Sequence, residues 1–291
     1  MIYRLIIFTF ILLAFTMDKP AYLLYSEKGK EVKYRKMLNE LAKADVVLFG
    51  ELHNNALVHW LQLEVVKDLK KEGRTLVMGA EMFETDNQLV INEYLDGTIE
   101  ARHLASEAKV WNNYATDYKP LLDFAKENQI PFIATNIPRR YASLVARQSL
   151  TALDSLDKAA KDYIAPLPIT VDMELPGYKN MISMMGGHGG GGSHGGMQAE
   201  NMVKAQAIKD ATMAHFILQN LQESSTFVHF NGAYHSDNFE GIYWYLKQDK
   251  PDLNIVTISS VEMQDISQWD EELNDRANYI ISIPEDMTKT Y

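Results

Sequence analysis

Asp45 to Asn55 reads DVVLFGELHNN. Four consecutive apolar residues, two of them β-branched, are bounded by Asp45 and Gly50. A short, unbroken apolar run of this kind suits a strand buried on both faces, as in a parallel sheet covered by helices. The next residues, NNALVHWLQLEVVKDLKKEG (54–73), start with asparagine, carry apolar residues at helical spacing and end in Lys-Lys-Glu-Gly. That pattern predicts a capped helix.

The unit recurs along the chain. TLVMGAEMF (75–83) reads as a strand, followed by a helix near Asn87 to Leu95. YKPLLDFAKEN (118–128) reads as a helix leading into the strand IPFIATN (130–136), and PRRYASLVARQSL (138–150) as a helix opened by proline. STFVHFNGAYH (225–235), NIVTISSVE (254–262) and NYIISIP (278–284) are further strands, rich in Val, Ile, Tyr and Phe. Upstream, AYLLYSEKGKEVKY (21–34) reads as two short strands around a Lys-Gly turn, and YRKMLNELAKA (34–44) as a helix. Alternating strands and helices predict an α/β fold with a mostly parallel sheet flanked by helices. Two intervals without strand signal, about 84–119 and 138–224, predict a smaller helical lobe within a single domain spanning 21–291.

Ligands of parallel sheets bind beyond the carboxyl ends of the strands. Glu51 and His53 follow the first strand, and Glu81 and Glu84 follow TLVMGA. Asn136, Arg139 and Arg140 follow PFIAT, and His235 and Asp237 follow FVHFNGAY. Carboxylates with imidazoles serve general acid–base chemistry, or hold a divalent metal and its water. Two histidines, two or three carboxylates, an Asn and an Arg pair therefore converge on one edge as candidates for such chemistry. Glu51 also suits the N-terminus of the following helix, where it would act only as a cap. Arg139 and Arg140 open a helix, where cations oppose the dipole, so at least one should pair with a carboxylate or an anionic ligand. His59 reads as packed, and His103, His215 and His229 as structural or surface residues.

The odd segment is MMGGHGGGGSHGGM (184–197), with eight glycines, two histidines and three methionines. It precedes a strong helix, Ala199 to Leu221, whose apolar stripe is Val203, Ala207, Ala211, Ala214, Leu218 and Leu221. The segment supports three readings: a flexible linker, a haem contact, or a transition-metal catcher built on His188 and His194. Ordering so much glycine costs roughly 1–2 kcal/mol per residue, which weakens tight metal binding by the loop alone.

The formal net charge of -11 opposes nucleic acid as a partner. The N-terminal run MIYRLIIFTFILLAFT has Arg4 before an apolar stretch, Leu5 to Phe15, too short to span a bilayer comfortably. A charged start and a short apolar core predict a signal peptide over 1–20, cut between Thr16 and Ala21, and hence export. Cysteine is absent, which excludes disulfides, cysteine metal sites and a lipid anchor on cysteine.

GELH (50–53) and GAYH (232–235) are two G-x-x-H motifs far apart in sequence. With a Glu after the second strand, they resemble the Tiki/TraB/erythromycin-esterase superfamily. VVLFGELHNN, GAEMFE, NIPRRYA and AQAIKDATMA resemble its ChaN-like haem-binding uptake branch, over Tyr22 to Ile258. The resemblance implies a bacterial protein of haem and iron acquisition, periplasmic or associated with the outer membrane. It also implies a lobe that holds haem, in some members between two subunits, and contact with an outer-membrane haem receptor. Haem iron accepts His, Met or Tyr; the candidates here are Tyr178, Met184, Met185, His188, His194 and Met197. Other branches are hydrolases, which makes a metal-dependent hydrolase using the paired motifs the alternative; Glu51, His53, Glu81 and His235 are the matching positions, the candidate catalytic residues and metal ligands that this resemblance implies, with Glu51 as general base.

Overall fold

The computed structural model describes residues 19–186 and 193–291. The expected signal core, with Arg4, and His188 lie outside the described residues. Seven strands form one sheet among them: β1 (Leu23–Ser26), β2 (Val46–Glu51), β3 (Thr75–Glu84), β4 (Phe132–Asn136), β5 (Ser225–Gly232), β6 (Ile255–Met263) and β7 (Tyr279–Pro284). Their order is β1-β7-β6-β2-β5-β3-β4, parallel except where β1 runs against β7. The second strand expected around the Lys-Gly turn shrinks to a single bridge, Tyr25 to Glu31.

The helices are α1 (Tyr34–Leu41), α2 (Ala56–Lys71), α3 (Gln88–Leu95), α4 (Ala101–Glu107), α5 (Lys119–Glu127), α6 (Arg139–Gln148), α7 (Lys158–Lys161), α8 (Pro176–Gly186), α9 (Ser193–Asn220) and α10 (Ile242–Asp249). A π-helical turn, Tyr114–Tyr118, leads into α5.

The central strands β2 and β5 are buried along their whole length because helices cover both their faces. Successive side chains alternate across the sheet. Val47, Phe49, Met78, Val228 and Phe230 enter one core, with side chains of α1, α2, α3 and α5. Val46, Leu48, Val77 and Phe227 enter the opposite core, with Met213, Ala214 and Ile217 of α9 and Ile242 and Leu246 of α10. Each such side chain contributes roughly 1.5–3 kcal/mol on burial.

Asn55 caps α2, its side-chain oxygen accepting from the Leu57 and Val58 amides at 3.2 and 3.3 Å. Glu51 is therefore not the cap, and its carboxylate faces other partners. The 84–119 interval is helical, yet Ile91, Tyr94, Leu104, Tyr114 and Tyr118 join the same core as the sheet.

The helix expected over Ala199–Leu221 is present as α9, but its buried surface is wider than one stripe. Val203 and Ala207 pack with Tyr178 of α8; Ala205, Ile208 and Ala211 pack with Ala142 and Val145 of α6; Met213 and Ile217 reach the sheet. A helix wedged between two others and a sheet buries several faces, which one amphipathic stripe does not reveal. Replacing Ile217 by Ala should therefore lower unfolding free energy by about 2–5 kcal/mol in urea titrations. Met197→Ala, at a position 65% exposed, should change it by no more than about 0.5 kcal/mol.

Candidate functional site

The two G-x-x-H motifs meet because β2 and β5 are parallel neighbours. Their register sets Gly50 beside Asn231 and Glu51 beside Gly232. Both motif glycines answer to space. A Cβ at Gly50 would sit 2.8 Å from the Ile258 carbonyl oxygen and 2.9 Å from the Ala233 Cα. One at Gly232 would sit 2.7 Å from His53 Nε2 and 3.5 Å from a Glu81 carboxylate oxygen. Only hydrogen at these points lets the strand ends close on each other.

Two networks of buried polar groups result. Glu51 is the hub of the first. It accepts from His53 Nδ1 at 2.9 Å, from the Tyr118 hydroxyl at 2.7 Å and from the Gln62 amide at 2.6 Å. The Asn113 amide and His59 Nε2 both donate to the His53 carbonyl, at 2.8 and 3.1 Å. Burial opposes protonation of His53, but the Glu51 and Glu81 carboxylates overcome it and raise its pKa. With Nδ1–H given to Glu51, Nε2 is the basic nitrogen, and the ring is about one-third exposed. This pair is equipped to take up and return a proton.

His235 is the hub of the second. It lies in a tight turn after β5, where its Nε2 meets Glu81 at 3.1 Å and its Nδ1 meets Asp210 of α9 at 2.5 Å. Burial alone would lower its pKa; the two carboxylates drive it up to about 10. Burial likewise works against ionised Glu81, yet His235, His53 and the Gly232 N–H (2.8 Å) hold its pKa well below the usual range. Asp210 goes the other way, its pKa raised by burial against the pull of His235. His235 is thus a buried imidazolium between two carboxyl groups.

The sequence places Glu81 past the end of its strand. The structure carries β3 on to Glu84, with the pairing to β4 shifting register between Ala80 and Glu84. That irregularity turns Glu81 toward β5 and His235, as bulges do at the rims of sheets.

The four candidates are brought together as hydrogen-bonded charge pairs. Both His235 nitrogens face carboxyl groups and both Glu51 oxygens already accept hydrogen bonds, while His53 Nε2 keeps its lone pair. Among the described residues no group of three or more His, Asp or Glu stands in metal-holding geometry.

Residues 37–246 match the family described as haem-binding uptake, Tiki superfamily, ChaN. The chain belongs to that family. It is similar to a solved structure described as cofacial heme binding to ChaN of Campylobacter jejuni, with a TM-score of 0.67 and 17% identity over 89% of this chain and 96% of that one. A succinoglycan biosynthesis protein is also similar, with a TM-score of 0.52 and 12% identity over 86% of this chain and 90% of that one. RETICULATA-RELATED 5, a chloroplastic protein of Arabidopsis thaliana, is 27% identical over 138 residues. That match takes in 45% of this chain but only 18% of the plant protein's length.

The remaining candidates separate. Tyr178 is buried and gives its hydroxyl to Asp210 at 3.2 Å, while burial drives its pKa far up. In this arrangement Tyr178 supports Asp210 rather than facing solvent. Met184 and Met197 are 73% and 65% exposed, and Met185 is also exposed, at the facing ends of α8 and α9. His194 belongs to the first turn of α9. Arg140 pairs with Asp86 at 2.5 Å, leaving Arg139 with no ion pair among the described residues. Asp237 turns away to Arg276 at 3.8 Å, with burial raising its pKa to about 6.

His59 is buried as expected, and His229 lies in the interior with its ring on Thr135 and Asn231. His103 sits exposed at the start of α4 and His215 half-buried on α9. Gln62, Asn113, Tyr118 and Asp210 were not identified from sequence. Asp210 carried a signal, as a carboxylate amid the apolar residues of α9; the others had none.

Because the folded pKa of His235 is raised, its stabilisation is complete below about pH 6.5 and is lost as pH rises toward about 10. The thermal midpoint should fall over that window, with a slope of at most about 1.4 kcal/mol per pH unit from this proton. His235→Gln should unfold more easily at pH 6 and flatten the slope. An unchanged slope in that variant would place the pH dependence elsewhere.

Proposed function

We propose that this protein is an exported haem-binding protein of haem and iron uptake. Membership of the haem-binding uptake family carries the reading. The donor set supports it. Haem iron takes imidazole or thioether ligands, and exposed methionines beside a large apolar ligand are adaptable contacts. Met184, Met185 and Met197, with His188 and His194, would hold the haem at the junction of α8 and α9. The iron, when bound, supplies the ligand-exchange and redox chemistry of the complex.

The relative's cofacial haem binding extends the proposal to a homodimer, in which a second copy covers the exposed methionines. Export rests on Arg4 and the Leu5–Phe15 run, and transfer to an outer-membrane haem receptor follows from the uptake role. Among the described residues no helix is long and apolar enough to cross a membrane. The metal-dependent hydrolase is the alternative reading, and it would rest on Glu51, His53, Glu81 and His235.

Haem titration followed by absorption should give a saturable Soret shift at one haem per chain. His188→Ala with His194→Ala, or Met184→Ala with Met197→Ala, should weaken binding about tenfold or move the band. A shift no larger than that of an acidic control protein would contradict the reading.

A further inference from the structure

A cleft away from the exposed methionines lies at the strand ends. About 610 Å³ in volume, it opens beyond the ends of β3 and β4, beside Glu81. Lys109, Arg139 and Lys209 line it, from the loop after α4, the first turn of α6 and the middle of α9. Three cations from three separate elements converge in a chain whose net charge is -11. None has an ion-pair partner among the described residues, whereas the adjacent Arg140 is held by Asp86. Against them stand Glu81, already neutralised by His235, and Glu84. Like charges kept together without partners favour an anionic occupant.

Two further features narrow its chemistry. Asn136, at the end of β4, lines the cleft, and its side-chain oxygen has no hydrogen-bond partner. An unpaired buried acceptor is costly; this oxygen is shielded, and a turn of the amide toward the cleft would let it accept from a ligand donor such as a hydroxyl. Trp111 forms part of the wall, its indole edge-on to His53 at 5.0 Å between ring centres. Met82, Val110, Ile137 and Tyr291 complete the lining, but three cations and three asparagines outweigh them, which suits a hydroxylated anion better than a porphyrin, whose faces call for mostly apolar cover. Lys109 is held at a φ of 48°, in the left-handed region that non-glycine residues rarely adopt. That conformation ends α4 and turns the chain toward the cleft.

We propose that this cleft is a second binding site, separate from haem, for a small hydroxylated organic anion: a sugar acid or a sugar phosphate. Arg139 anchors the anion, Lys109 and Lys209 flank it, and Asn136 takes a hydroxyl. The site stands whether or not the haem reading holds.

Calorimetry on the full chain with glucuronate, glucose 6-phosphate, inorganic phosphate and glucose tests the proposal. At least one of the two sugar anions should bind, and the tighter one identifies the acid group. Glucose should not bind, and inorganic phosphate should bind more weakly. Arg139→Gln and Lys209→Gln, both changes at solvent-facing ends of side chains, should each weaken the sugar anion at least about tenfold, the loss of one charge-assisted hydrogen bond. Both should leave the haem titration unchanged. The proposal is overturned if neither sugar anion binds, if glucose or inorganic phosphate binds as well, or if the variants bind like the parent. Loss of haem binding in both variants would also overturn it, by making the cleft a haem carboxylate pocket.

Discussion

The parallel pairing of β2 with β5 is the constraint on which the rest depends. It sets Glu51 level with Gly232 and brings His53 against a backbone that has no side chain to give. From the same junction His235 turns inward, where it is stable as a cation only while Glu81 and Asp210 flank it. Glu81 comes from the bulged end of β3 and Asp210 from α9, so three elements are tied by one charge. Removing one partner would leave an uncompensated buried charge, a loss of about 3–5 kcal/mol. This arrangement locks the long helix onto the sheet.

The two proposed ligand regions differ in kind. The α8–α9 junction presents exposed methionines beside a histidine-bearing segment, which suits a large apolar ligand. The cleft beyond β3 and β4 presents lysine, arginine and amide groups, which suit an anion. Arg139 and Arg140 show the division at the level of two neighbours. One is neutralised by Asp86 and belongs to the fold. The other lines the cleft.

The strands were readable in the sequence because burial on both faces favours apolar and β-branched residues: DVVLFG stands out as an unbroken apolar run and NIVTISSVE by its β-branched content. The convergence of Glu51, His53, Glu81 and His235 was readable too, since α/β strands deliver their last residues to one edge. The register of β2 on β5 was not, because parallel partners lie far apart in the chain. Nor was the bulge in β3, which lies in pairing and not in residue type. Tyr178 looked like an iron ligand by chemistry, and only packing reveals that Asp210 holds it. Tyr118 reaches Glu51 from the far side of the core, across 67 positions, with nothing local to announce it.

The account's central claim is that haem is held at the α8–α9 junction and not by the strand-end networks. Haem affinity of a Glu51→Gln, His53→Ala double variant tests this most directly, beside the parent protein under the same conditions. The account predicts the same Soret band and an affinity within about twofold of the parent. A lost band, or an affinity lowered tenfold or more with the fold intact by circular dichroism, would contradict it.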